Sequence, residues 1–219
     1  MPPHMSRREL RAARRADASG SGPTLEERDP ARYPGAKGAF ALFGEVLLTG
    51  LLVTVAGILV VTLPAALAAG IRHLRRYVDA EQSHAKTFWR DWWTALPGGI
   101  VVGVASVALA ILLLLDIDLA NSGALPGGPV VAVIGWAGLL TAAVALLLAC
   151  GAWTPERGWR AAVHGIPSSL TSDPIGALYL AAAAVLVVVV TWMLTPLIVA
   201  GLGCAAFAVM AIPARRGRR

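Results

Sequence analysis

The sequence predicts an all-α fold, a polytopic helical membrane bundle of five to six transmembrane or re-entrant segments. Three observations carry that expectation. Apolar residues make up 57% of the 219-residue chain and charged residues 15%, with a mean hydropathy of +0.67. A soluble domain is about 45–50% apolar and about 25% charged, so this chain has too few charges to clothe a water-facing surface. The apolar residues gather into runs long enough for membrane-crossing helices, and all 19 Lys and Arg residues lie outside those runs. Basic clusters flanking apolar stretches are what the positive-inside bias produces. The net charge of +6 therefore reads as membrane topology, and no nucleic-acid partner is expected.

Residues 1–38 hold eight of the basic residues and few aliphatic ones beyond Leu10 and Leu25. They cannot bury enough apolar surface to offset their ordering entropy and read as a disordered basic tail. No apolar region follows the start, so no cleaved signal peptide is expected. The helical membrane domain then occupies residues 39–213, and a basic tail closes the chain at 214–219.

The first apolar run, 40–63, has 24 residues and one charge, Glu45. It admits two readings. A single crossing leaves the basic N-terminal tail outside and makes five segments. A break near Thr62-Leu63-Pro64 sends the chain back as a short helix through Arg72, keeping every basic part inside with six segments. A broken or re-entrant first segment is the favoured reading. Residues 65–94 read as an amphipathic cytoplasmic segment with Arg72, Arg75, Arg76, Lys86 and Arg90. Within it Phe88, Trp89, Trp92 and Trp93 form an aromatic arc at helical spacing, with Arg90 and Asp91 on the other side. Indoles favour the headgroup level, which points to a helix lying on the interface.

Runs 96–115 and 130–153 hold 20 and 24 uncharged residues, one crossing each by the ~20-residue rule. The linker 116–129 carries Asp116 and Asp118 and no base, so it faces outward. Trp153 and Trp159 read as anchors of the next cytoplasmic boundary, beside Arg157 and Arg160. The final run, 175–212, has 38 uncharged residues, too many for one crossing. Pro disfavours a helical predecessor, so Thr195-Pro196 divides it into crossings near 175–193 and 197–212.

Few residues carry candidate chemistry. Glu45 is the one ionisable group well inside an apolar run, and intramembrane charge is costly enough to be functional by default. Its position near the start of the run favours interfacial or helix-pairing use over proton carriage. Gly99 and Gly103 form a GxxxG pair that lets helices approach closely. Cys150 and Cys204 lie far apart inside apolar runs and read as small buried inert thiols. His4, His73, His84 and His164 sit in tails and polar segments without metal-ligand spacing and read as interfacial or solvated. No nucleotide-binding, nucleophile-elbow or zinc motif is present, so the expectation is of no catalytic residue, metal or cofactor, and of a protein that is not an enzyme.

The run Val60-Val61-Thr62-Leu63-Pro64 is followed by small residues, a basic stretch at 72–77, Asp79 and Glu81. Thr87-Phe88-Trp89-Arg90-Asp91-Trp92-Trp93 comes next, and Trp192, Pro196 and Gly201 mark the end. This pattern resembles the YesL-like family of bacterial integral membrane proteins of unknown function, over roughly residues 40–212. The chain departs from it with Pro64 where the family has Gly and Leu59 where an earlier Pro is expected. The resemblance implies a multi-pass protein of the bacterial inner membrane with a cytoplasmic C-terminus. It also implies an accessory or regulatory role beside a carbohydrate-uptake system, with a transporter or sensor membrane subunit as partner. It supplies no catalytic residues. The alternative is a small-solute transporter acting as a homo-oligomer, for which Glu45 and the breaks at Pro64 and Pro196 are the motivation.

Overall fold

A computed structural model describes residues 39–79, 84–123 and 126–214. The N-terminal tail with His4, the acidic Glu81 and residues 215–219 lie outside the described residues. Helix α1 (Ala39–Ala56) is followed by a 3-10 turn (Val60–Thr62) and α2 (Leu63–Val78). Then come α3 (Ala85–Asn121), α4 (Gly128–Ala152), and the short α5 (Gly158–His164) and α6 (Ile166–Ser172). Helix α7 (Pro174–Met193), a 3-10 turn (Thr195–Leu197) and α8 (Ile198–Ala214) complete the described residues. Among the described residues there is no strand. Helices α3, α4 and α7 are long and apolar enough to cross a membrane, while the apolar stretches Phe40–Ala56 and Ile198–Ile212 are shorter.

The first break falls within a few residues of its expected place. Helix α1 ends at Ala56, and the Thr62 hydroxyl donates to the carbonyls of Ala56 (2.8 Å) and Leu59 (2.7 Å), closing the turn on itself. Pro64 then sits in the first turn of α2, where its missing N–H costs no helical bond. The returning helix packs antiparallel to α1: Glu45 meets His73, and Gly70 lies against Val53 and Thr49. The second break also lies where Pro196 requires one, with Leu194 extended and a 3-10 turn leading into α8.

Helix α2 corrects the expectation of an amphipathic surface segment over 65–94. Ala65, Ala66, Ala68, Ala69, Ile71 and Leu74 are all 0% exposed, and α1, α3, α4 and α8 surround them. The physical reason is size. An Ala- and Gly-rich helix lets four neighbours approach its backbone at once, and close backbone approach is what holds helices together where lipid removes the hydrophobic drive. Of the same stretch, 85–94 is the first part of α3, which runs without interruption through Pro97 and beyond Asp116 and Asp118 to Asn121. Those two aspartates are therefore exposed residues of a helix end, not of a loop.

Glycines set the other close contacts. Gly50 lies against the Val199 backbone and Gly203 against that of Val46, which locks α1 antiparallel to α8. Gly99 faces Ala65, and Gly103 faces the backbone of Val61 at the tip of the α1–α2 hairpin. The GxxxG pair thus serves a contact within the chain. Because the hairpin tip reaches only as far as Gly103, α3 continues about 27 Å beyond it to Asn121.

Candidate functional site

The four polar residues near the end of α2, Arg72, His73, Arg75 and Arg76, each reach a neighbouring helix. Positions 72 and 76 share a helix face, while 73 and 75 point to either side of it. Cations in the last turns also complement the helix dipole. Arg72 Nε donates to Asp91 Oδ2 of α3 at 3.2 Å, and Arg76 Nη2 donates to the same oxygen. His73 Nε2–H donates to Glu45 Oε1 of α1 at 2.7 Å. Arg75 Nη2 donates to the Gly151 carbonyl of α4 at 2.9 Å. One helix end is thereby tied to three others.

Asp91 is 4% exposed and His73 is 1% exposed. Both placements are corrections. Asp91 was expected opposite the aromatic arc, but residues 88, 91, 92 and 95 share one face, and that face turns inward. His73 was expected to be interfacial or solvated; its helix is the central one, so only a partner makes the burial tolerable. Glu45 is that partner, reaching from α1 to α2. The signal for Asp91 was present in the sequence: it lies three residues after Phe88 and four before Ala95, the spacing of a single helical face.

The aromatic arc divides. Phe88 is fully buried, edge-on to His73, while Trp89 and Trp92 are half-buried and Trp93 is 66% exposed. Successive rings of the arc meet edge to face at centroid distances of 5.0–5.6 Å, the geometry their quadrupoles favour. Trp153 and Trp159 were expected at the headgroup level. Instead both are buried in protein, their rings tilted 33° to one another with centroids 6.0 Å apart, and the Arg72 guanidinium lies 5.8 Å from the Trp153 ring centre. Trp159 Nε1 donates to the Ala95 carbonyl at 2.8 Å, and its ring lies against Gly98. Gly98 permits this by leaving space where a side chain would collide with the indole. Of the expected interface anchors, Trp93 is the one that presents most of its ring outward.

Several buried polar atoms in the described residues have no hydrogen-bond partner, among them Thr49 Oγ1, His73 Nδ1, Arg76 Nη1 and Trp92 Nε1. Cys150 is buried, with its thiol 3.5 Å from the Pro64 carbonyl, but Cys204 is exposed, contrary to expectation. It lies on an exposed face of α8. Among the described residues no cluster of three or more His, Cys, Asp or Glu is arranged to hold a metal.

The site and fold define an all-helical membrane-embedded protein whose central helix is held by a charged and aromatic clamp at one end. The chain matches no protein-family model, no curated protein and no solved structure.

Proposed function

We propose that the protein is a multi-pass protein of the bacterial inner membrane that acts as an accessory or regulatory subunit, holding a transporter or sensor subunit through its membrane-facing helices. The observation that carries this reading is the clamp. Its ions are spent on one another: Arg72 and Arg76 on Asp91, His73 on Glu45, and Arg75 on a backbone carbonyl. This is the chemistry of a rigid scaffold, with large apolar side chains such as Trp136, Val188 and Trp192 facing outward. The resemblance to the YesL-like family adds a carbohydrate-uptake system as the setting.

The topology that goes with this reading has α3, α4, α7 and α8 crossing, and α1–α2 entering and leaving on the basic side. The depth of the hairpin favours it, since its tip lies beside Gly103, about 18 Å of helix short of Leu115, where the apolar part of α3 ends. All basic segments, including the C-terminal tail, then share the cytoplasm. In intact cells a membrane-impermeant maleimide should label a cysteine introduced at Gly123, while one introduced at His84 should react only after the cells are opened. Reaction of both from outside would remove this topology.

The functional test is affinity isolation of the full chain in mild detergent. The expected result is reproducible recovery of a transporter or sensor subunit. Recovery of the protein alone, together with solute uptake by liposomes containing only this chain, would instead establish the transporter reading. The Glu45–His73 pair beside the unpartnered Thr49 hydroxyl is the observation that favours that second reading.

A further inference from the structure

A groove of about 560 Å³ runs between α3 and α4, and α5 lies across one end. That volume is within the ~300–1,000 Å³ range of pockets that hold small molecules. The groove exists because its facing positions are small: Ala105 on α3 and Ala142, Ala145 and Ala149 on α4 leave the space that larger side chains would fill. From Gly98 to Leu109 it extends about 17 Å along α3. Its walls are almost entirely apolar.

The capped end differs in chemistry. Arg160 and His164, one helical turn apart on α5, line it, and no carboxylate does. Both side chains are exposed. His164 Nδ1–H donates to the Arg160 carbonyl at 2.8 Å, which leaves Nε2 for a ligand. Among the described residues no acidic group forms an ion pair with Arg160. An apolar trough the length of much of one leaflet, ending in an unneutralised cation at the level where α4 leaves its apolar stretch, is complementary to one amphiphile.

We infer that the groove seats a single anionic phospholipid, with an acyl chain lying between α3 and α4 and the headgroup phosphate on Arg160 and His164. The inference rests on reading α3 and α4 as membrane-crossing, but not on any partner or transported solute. Trp159 forms the floor beneath the headgroup, and its bond to Ala95 fixes α5 against α3. Each basic residue near an anionic headgroup contributes about 1 kcal/mol, or roughly fivefold in affinity.

The test uses the full chain in detergent with equimolar phosphatidylglycerol and phosphatidylethanolamine, read by native mass spectrometry. One phosphatidylglycerol per chain is the expected bound species. Arg160→Gln should lower its retention about fivefold, and His164→Gln should lower it too. Ala145→Leu, which fills the trough and leaves both bases in place, should abolish retention, while thermal unfolding of each variant reports that it is folded. Equal retention of the two lipids, or undiminished phosphatidylglycerol on folded Ala145→Leu, would overturn the inference. Extraction of the protein into buffer without detergent would overturn the membrane reading itself, a separate and distinguishable result.

Discussion

Asp91→Asn should lower the stability of the detergent-solubilised protein by about 3–5 kcal/mol, the range for breaking a buried pair by removing one partner. The expectation follows from what is left behind. Asp91 is the sole carboxylate that meets Arg72 and Arg76 among the described residues, and its side chain is 5% exposed. Asn keeps the shape but withdraws the charge, so the two guanidinium groups at the end of the central helix lose their shared ion-pair partner. Arg76→Met should cost less, because Arg72 still neutralises Asp91 and the Arg76 Nη1 atom has no partner to lose. Asp118→Asn, at the exposed end of α3, should change stability by no more than about 0.5 kcal/mol. Thermal unfolding followed by tryptophan fluorescence measures all three. Equal midpoints for Asp91→Asn and Asp118→Asn would show that the clamp does not hold the bundle together.

Gly103→Val should be comparably damaging for a steric reason. A Cβ at Gly103 would overlap the Val61 carbonyl oxygen and lie 2.7 Å from its carbon and 2.9 Å from its Cα. All three atoms are backbone, so no rotamer change relieves the clash and the hairpin tip has to move. Overpacking of this kind costs about 1–3 kcal/mol or more. Gly44→Ala supplies the opposite sign. Nothing lies within 4 Å of a Cβ there, and Ala in place of a helical Gly is worth about 0.5–1 kcal/mol. Opposite shifts of the unfolding midpoint are therefore expected from two glycines in the same bundle. A stabilising effect at both positions would mean that the α1–α2 hairpin is not seated against α3.

These two sites also show how far local pattern reaches. Gly103 was marked by its partner Gly99, and helix proximity was the expectation; which helix approaches was not legible, since any close-packed helix would use the same spacing. Asp91 was legible as a member of a helical face, but the face was assigned outward because its neighbours Trp89, Trp92 and Trp93 are ordinary residues of a membrane surface. Trp153 and Trp159 misled for the same reason. An indole beside a basic loop fits the headgroup level equally well as the floor of a protein clamp, and only the Gly98 surface and the Ala95 carbonyl distinguish the two. Glu45 was identified from its cost in an apolar run. Its partner His73 carried no such mark, because a histidine within the basic stretch of Arg72, Arg75 and Arg76 looks interfacial or solvated until the helix bearing it is known to be central.

By itself the sequence determined the class of the protein, the places of the long apolar helices, and the breaks near Pro64 and Pro196. Those properties depend on the length of an apolar run and on a proline ring, which fits the first turn of a helix at Pro64 and disfavours a helical predecessor at Pro196, and both act within a few residues. The tertiary structure alone decided that α2 is the centre of the bundle, that Asp91 and His73 are buried, and that Ala-lined walls leave a groove ending at Arg160. Burial belongs to what surrounds a side chain, and four helices brought together by small residues at distant positions are not visible in any one of them.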